Sequence, residues 1–338
     1  MSDATELLER AEALATEGRA RDAIDLLSDA NRRVADPEVV QRLVQLRHDA
    51  WSEISRDGPA SWDGDVPDLF PGEQRIPEVE AADLTGALIR SAQLHHGGLV
   101  VRNLLSQEWC EQLKDGIDRA WAAIDHYRET KELDPEWFAP LDLDRYGLTM
   151  ASRAWVLNSG TAYVPDSPRL LFDFLEALAQ SRIKSVVASY FDEEPALSWV
   201  KLAQRRLPPD ATGGWHQDGA VYGMTARTLN LWLPVTRCGD VAPGLEMWPR
   251  RLDDMVSTMS DTGTEGFSAT ADAVAALTDE VPADRPVFDA GDAALFDQFL
   301  LHQTAAGDHF TQERYGFECW FFAPSTYPDP ERWIPLAY

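Results

Sequence analysis

From residue 197 onward the chain breaks into short runs of apolar, β-branched and aromatic residues: LSWVKLAQRRL, TLNLWLPVT, GLEMWP, AALFDQFLLHQT and RYGFECWFFA. Clusters of Pro, Gly and Asp separate them, the punctuation expected of strands and turns. Several strands in succession, without long helices between them, point to a sandwich or jelly roll. One stretch breaks the pattern. Residues 253–285 are polar and poor in aromatics, and predict a long excursion with a helix near 270–278.

The first half reads differently. Leu7, Leu8, Ala11, Leu14 and Ala15 form one apolar stripe, predicting a helix over 3–17 that Gly18 ends. A second helix is expected over 20–34. Asp36-Pro37 then opens a third, with Asp36 as cap and Pro37 in the first turn. The phrase AEALATEGRARDAIDLLSDA resembles one tetratricopeptide hairpin. A single such unit cannot bury its own face, so it is expected to pack on the main domain or on a second subunit. Prolines and glycines scattered over 57–78 read as a linker. The resulting organisation is a helical extension over 1–56, a linker over 57–78 and a catalytic domain over 79–338. Within the last, helices are expected over 83–95, 106–127, 168–178 and 179–190, with GLVVRNLL as an early strand. The aromatic-rich segment 129–168 is expected to supply substrate-facing loops.

With 57 acidic against 30 basic side chains, the formal net charge is −27. Such a surface repels phosphate backbones and anionic lipid, and argues against nucleic acid and membranes as partners. The expected partner is a small-molecule substrate, with homo-oligomerisation through the N-terminal helices as a further expectation. Cys110, Cys238 and Cys319 match no zinc or disulfide spacing. The opening MSDATELLER carries no secretory pattern, and no apolar run approaches the ~18 residues of a membrane span. These features lead to an expected cytoplasmic location.

The chemistry concentrates in GGWHQDGA. On an extended strand, His216 and Asp218 would point to one face and offer an imidazole and a carboxylate to a single metal. His302, closing the apolar run FLLHQT, is the candidate third ligand. Two histidines and one carboxylate leave three positions of an octahedral ion open, the ligand set of non-haem iron(II) oxygenases. Arg314 opens the run RYGFECWFF, which is expected to return antiparallel to the His302 strand. A guanidinium buried there needs an anion, and the distal carboxylate of 2-oxoglutarate fits its fork. Thr304, on the same face as His302, is placed to add a hydroxyl donor. His48, His95, His96, His126 and His309 read as surface or capping residues.

In order along the chain, LTGALIRSAQLHHGGLVVRNLL, WHQDGA, LNLWLPV, APGLEMWP, AGDAALFDQFLLHQT and Arg314 resemble the phytanoyl-CoA dioxygenase family over about 83–323. The resemblance implies an α+β fold: a double-stranded β-helix (jelly roll, cupin-like) flanked by helices, here with the N-terminal helical extension added. It implies iron(II) on His216, Asp218 and His302, 2-oxoglutarate on Arg314 with help from Thr304, and Trp232 beside the cosubstrate, with dioxygen as the other cosubstrate. The family's Pro-Gly-Ser-His type of turn is replaced by Pro249, Arg250, Arg251 and Leu252. Either a charged surface turn or a contact with an acidic substrate group would account for the two arginines.

The reading is a dioxygenase that hydroxylates a small organic substrate in specialised metabolism, releasing succinate and carbon dioxide. Related halogenases lack the carboxylate ligand, so Asp218 favours hydroxylation. Desaturation, ring closure and epimerisation use the same triad and stay open, as does a catalytically idle interaction protein working through its N-terminal helices.

Overall fold

The computed structural model describes residues 3–59, 61, 65–141, 157, 159–262 and 266–338. Two β-layers face each other, and helices cover the outer side of the larger. The larger sheet has eight strands in the order β1-β2-β7-β5-β9-β4-β10, with β3 also paired to β4. Its members are β1 (Glu78–Glu80), β2 (Gly98–Arg102), β3 (Thr161–Tyr163), β4 (Ala196–Leu207), β5 (Thr228–Pro234), β7 (Ala293–Phe296), β9 (Arg314–Phe322) and β10 (Pro335–Ala337). The smaller sheet pairs β6 (Leu245–Met247) with β8 (His302–Thr304). This is the jelly roll that the strand pattern pointed to, with the double-stranded β-helix core that the family resemblance implied.

Period-two alternation divides the side chains of β9 between the two faces. Phe317, Cys319 and Phe321 join a core shared with helices, whereas Trp320 and Phe322 join a second core that also contains Met247 and Leu245 of the smaller sheet. The helices are α4 (Gly86–His96), α5 (Gln107–Thr130), α6 (Pro168–Gln180) and α7 (Ile183–Phe191). Ile89, Leu113, Ile117 and Phe174 are fully buried in the helix-side core.

Three helices precede this body: α1 (Asp3–Thr16), α2 (Ala20–Arg33) and α3 (Pro37–Asp49). Asp36 caps α3 by accepting from the backbone N–H of Glu38 and Val39. Their apolar faces share a cluster with Ala196, Ala337, Phe172 and Tyr327, so the hairpin is covered by the chain's own sheet edge and α6. The stretch expected as a linker is tied down in its second half. Leu69 N–H donates to Ser91 Oγ at 2.8 Å, and Ile76, itself buried, donates to Asp284 at 3.1 Å.

Two strand expectations need correction. Arg314 does not return beside His302 in one sheet: β8 pairs with β6, and β9 pairs with β4 and β5. The chain after β8 crosses between layers, so Arg314 opens a strand of the facing sheet. Nor do His216 and Asp218 share a strand. His216 makes an isolated bridge to His302, and Asp218 turns into the right-handed helical region (φ −64°, ψ −24°) to start the short helix α8 (Gly219–Tyr222).

Phe317 ties β9 to α6, stacking on Phe174 with ring centroids 4.5 Å apart. Phe317→Ala should lower unfolding free energy by about 3–5 kcal/mol, because the rigid helix layer cannot collapse into the void. Urea denaturation checks this; a loss under about 1 kcal/mol would mean that the layers repack freely.

Candidate active site

His216 and His302 meet through their backbones. His216 N–H donates to His302 O at 2.9 Å, and His302 N–H to His216 O at 3.0 Å. The pairing brings their imidazole centroids to 4.3 Å. Asp218 completes the group: one ligand atom each of His216, Asp218 and His302 lies within 4.8 Å of the others. This is the one such group of three among the described residues.

Each imidazole is held in place through its Nδ1. His216 Nδ1 lies 2.8 Å from Gly214 O, and His302 Nδ1 3.0 Å from Leu300 O. A carbonyl only accepts, so each Nδ1 carries the proton and each Nε2 presents a free lone pair. Burial, followed by the neighbouring His216, pushes His302 down to about 4 against the opposing pull of Asp218. Its ring is therefore neutral at physiological pH. Asp218 is 9% exposed. Burial alone would raise its pKa, but Lys201, His216 and His302 together outweigh that and hold it at about 2. The set is thus two imidazole nitrogens and one carboxylate, a donor chemistry that fits iron(II).

Arg314 lies 2% exposed, its guanidinium 4.9 Å from the ring centre of Trp232. Its Nη1 donates to Pro243 O at 3.0 Å and Gly244 O at 3.3 Å. Burial pulls its pKa down to about 10, which leaves it charged. No carboxylate stands within 4 Å of it among the described residues, an arrangement that suits a carboxylate-bearing ligand. Thr304 shares the inward face of β8 with His302, since their partners on β6 are Leu245 and Met247. The inner face of the larger sheet adds Asn230, whose Oδ1 is buried without a hydrogen-bond partner among the described residues. Glu318 receives Arg205 Nη2 at 2.9 Å.

Other expectations resolve differently. Arg251 turns inward to Asp297 at 2.5 Å, and Arg250 binds Gln74, so the Pro249–Leu252 turn uses its arginines within the chain. Much of 129–168, residues 142–156 and 158, lies outside the described residues. His48 and His95 bind carbonyls of Pro335 and Val66, His96 pairs with Asp68, and His126 with Glu132.

Three residues near the triad were not read from the sequence. Lys201, on β4, donates to Asp218 Oδ1 at 3.0 Å. Gln217, between two of the three, is 2% exposed and ties three segments together. Its amide donates to Phe299 O at 2.7 Å and Asp254 O at 3.1 Å, and accepts from Val256 N–H at 2.7 Å. Phe267, from the 253–285 excursion, stands edge-on to His216 at 5.5 Å. The excursion lies close because Gly219 has no side chain: a Cβ there would meet the Met255 methyl at 2.5 Å. A cavity of about 500 Å³ opens between them, lined by Ala220, Met255, Val256, Ser257, Thr258, Asp261 and Phe267.

The family model described as phytanoyl-CoA dioxygenase matches residues 94–310, more than half of the chain. No curated protein matches. Among solved structures, EctD from S. alaskensis with 2-oxoglutarate and 5-hydroxyectoine is 16% identical, with TM-score 0.49 over 79% of this chain and 89% of that one. AviO1 from Streptomyces viridochromogenes Tue57 is also 16% identical, with TM-score 0.44 over 73% of this chain and 99% of that one. EvdO2 from Micromonospora carbonacea var. aurantiaca, complexed with 2-oxoglutarate, is 16% identical, with TM-score 0.41 over 71% and 92%.

The depressed His302 pKa carries a stability cost. Between its ordinary 6.5 and about 4, the unfolded chain takes up a proton that the folded ring refuses. The metal-free protein should lose roughly 3 kcal/mol from this residue as pH falls through that window. Urea midpoints across the window, for the wild type and His302→Gln, should show the slope shrink in the variant. An unchanged slope would assign the proton elsewhere.

Proposed function

The chain belongs to the phytanoyl-CoA dioxygenase family and is a non-haem iron(II)- and 2-oxoglutarate-dependent oxygenase; we propose that it hydroxylates a small organic substrate at a metal held by His216, Asp218 and His302. The observation that carries the site assignment is the pair of Nδ1 contacts that leave both imidazoles' Nε2 free in a cluster with Asp218, His302 Nε2 lying 3.7 Å from Asp218 Oδ2. When bound, iron and 2-oxoglutarate supply the oxidising chemistry, consuming dioxygen and releasing succinate and carbon dioxide as one oxygen atom enters the substrate.

The remaining work falls to the protein. His216 and His302 are fixed by carbonyls, His302 stays neutral and Asp218 stays ionised. Arg314 receives the distal carboxylate of 2-oxoglutarate on the guanidinium N–H groups that Pro243 and Gly244 do not use. Trp232 fixes the plane of that guanidinium from one side, and Thr304 offers a hydroxyl from the facing sheet. We assign the excursion over 253–285 the role of cover. Phe267 and Met255 lie against the ligand-bearing segment, where they exclude water from the reacting centre. The substrate enters beside them, and specialised metabolism is the setting we favour. The three cysteines are buried and unbridged, in keeping with a reducing cytoplasm. No described helix is long and apolar enough to cross a membrane.

His216→Ala, Asp218→Ala and His302→Ala should each abolish iron-dependent succinate formation while circular dichroism stays unchanged. Full turnover in any of them would remove that residue from the assignment. Arg314→Leu should raise the 2-oxoglutarate requirement by orders of magnitude, since an unpaired buried charge costs about 3–5 kcal/mol. Arg314→Lys should rescue little, because an ammonium lacks the planar fork. A substrate screen read by mass spectrometry should report a gain of one oxygen atom; a loss of two hydrogens would indicate desaturation instead.

A further inference from the structure

Asp218 presents two different oxygens. Oδ1 accepts from the Lys201 ammonium at 3.0 Å, while Oδ2 faces His302 Nε2 at 3.7 Å. Lys201 is confined where it stands. Its Nζ lies 5.1 Å from the ring centre of Tyr222 and 5.8 Å from those of Trp320 and Trp333. These faces attract the cation and replace the water into which a lysine would otherwise extend. Lys201 and Asp218 side chains keep only 17% and 12% of their exposure, so their charge-assisted bond is weakly screened.

We propose that Lys201 is a positioning residue that occupies Oδ1 and confines Asp218 to ligating the metal through Oδ2 alone. This rests on the metal assignment above and adds to it the mode of ligation. A carboxylate free at both oxygens can chelate one ion with the pair, taking a second coordination position. The triad leaves three positions, and a chelating cosubstrate uses two of them. A doubly bound Asp218 would take the last, the position that dioxygen requires. Lys201 prevents this without touching the metal. An ammonium on Oδ1 and an ion on Oδ2 divide one carboxylate between two cations.

The test uses the full chain loaded with zinc(II), which is redox-silent, and infrared difference spectra of the zinc-loaded minus the metal-free protein. Isotopic labelling of aspartate carboxylates with ¹³C identifies the bands. One-oxygen ligation separates the antisymmetric and symmetric carboxylate stretches widely, and two-oxygen chelation brings them together. The wild type should show the wide separation and Lys201→Met the narrow one. Lys201→Arg, which keeps a cationic donor, should retain the wide one. Should Lys201→Met fail to fold, Lys201→Gln serves, since its amide is one atom too short to reach Oδ1 and should give the same narrowing. A wide separation in the neutral variant, with zinc bound in equimolar amount, would overturn the role of Lys201 and leave the metal site standing. Failure of the wild type to bind zinc, or equal binding by His302→Ala, would overturn the metal assignment and this proposal with it.

Discussion

Two hydrogen bonds exchanged between the backbones of His216 and His302 hold the centre together. They join a loop after β4 to the edge of the smaller sheet, and no side chain takes part. Ring positions therefore follow from strand pairing, the most rigid part of the fold. Each Nδ1 is then claimed by a carbonyl two residues earlier in its own segment, Gly214 for one and Leu300 for the other. Orientation and tautomer are set locally, before any ligand arrives.

The inner face of the larger sheet carries Lys201, Arg205, Arg314 and Glu318. These charges are tolerated because most have near partners: Lys201 with Asp218, and Arg205 with Glu318. Arg314 has carbonyls and the Trp232 ring instead. The overall charge of −27 does not describe this interior. An anionic cosubstrate would meet in Arg314 a cation that the acidic surface surrounds but does not neutralise.

The strand pattern, the N-terminal helices with their Asp36 cap, and the grouping of His216, Asp218 and His302 were legible because each leaves a periodic or short-range trace. The pairing of β8 and β9 was not. A short loop after FLLHQT reads as a hairpin, and only the layered closure of the fold sends β9 to the other sheet. Lys201 was hidden for a related reason. The register between β4 and β9 shifts between Leu197 and Leu202, so simple alternation along WVKLAQRRL does not reveal which residues face inward. Asp218 reached the expected neighbourhood by an unexpected route. A helical turn, not a strand, carries its carboxylate to the histidines. The arginines of the Pro249–Leu252 turn misled because charge in a turn reads as surface, whereas Asp297 draws Arg251 inward.

Gln217 has a consequence for how such an enzyme diversifies. Its side chain engages the excursion only through the main chain of Asp254 and Val256, and a further backbone bond joins Ala269 to Trp215. None of these contacts depends on which side chains the excursion carries at those positions. Residues 258–268, between the anchors, can therefore change in sequence and length while the ligand-bearing segment keeps the same supports. Phe267, with Thr258 and Asp261 of the adjoining cavity's lining, lies within that replaceable stretch, while Ala220, Met255, Val256 and Ser257 lie outside it. The molecule separates a part that drift can rewrite from a part it cannot, and the border runs through a single amide.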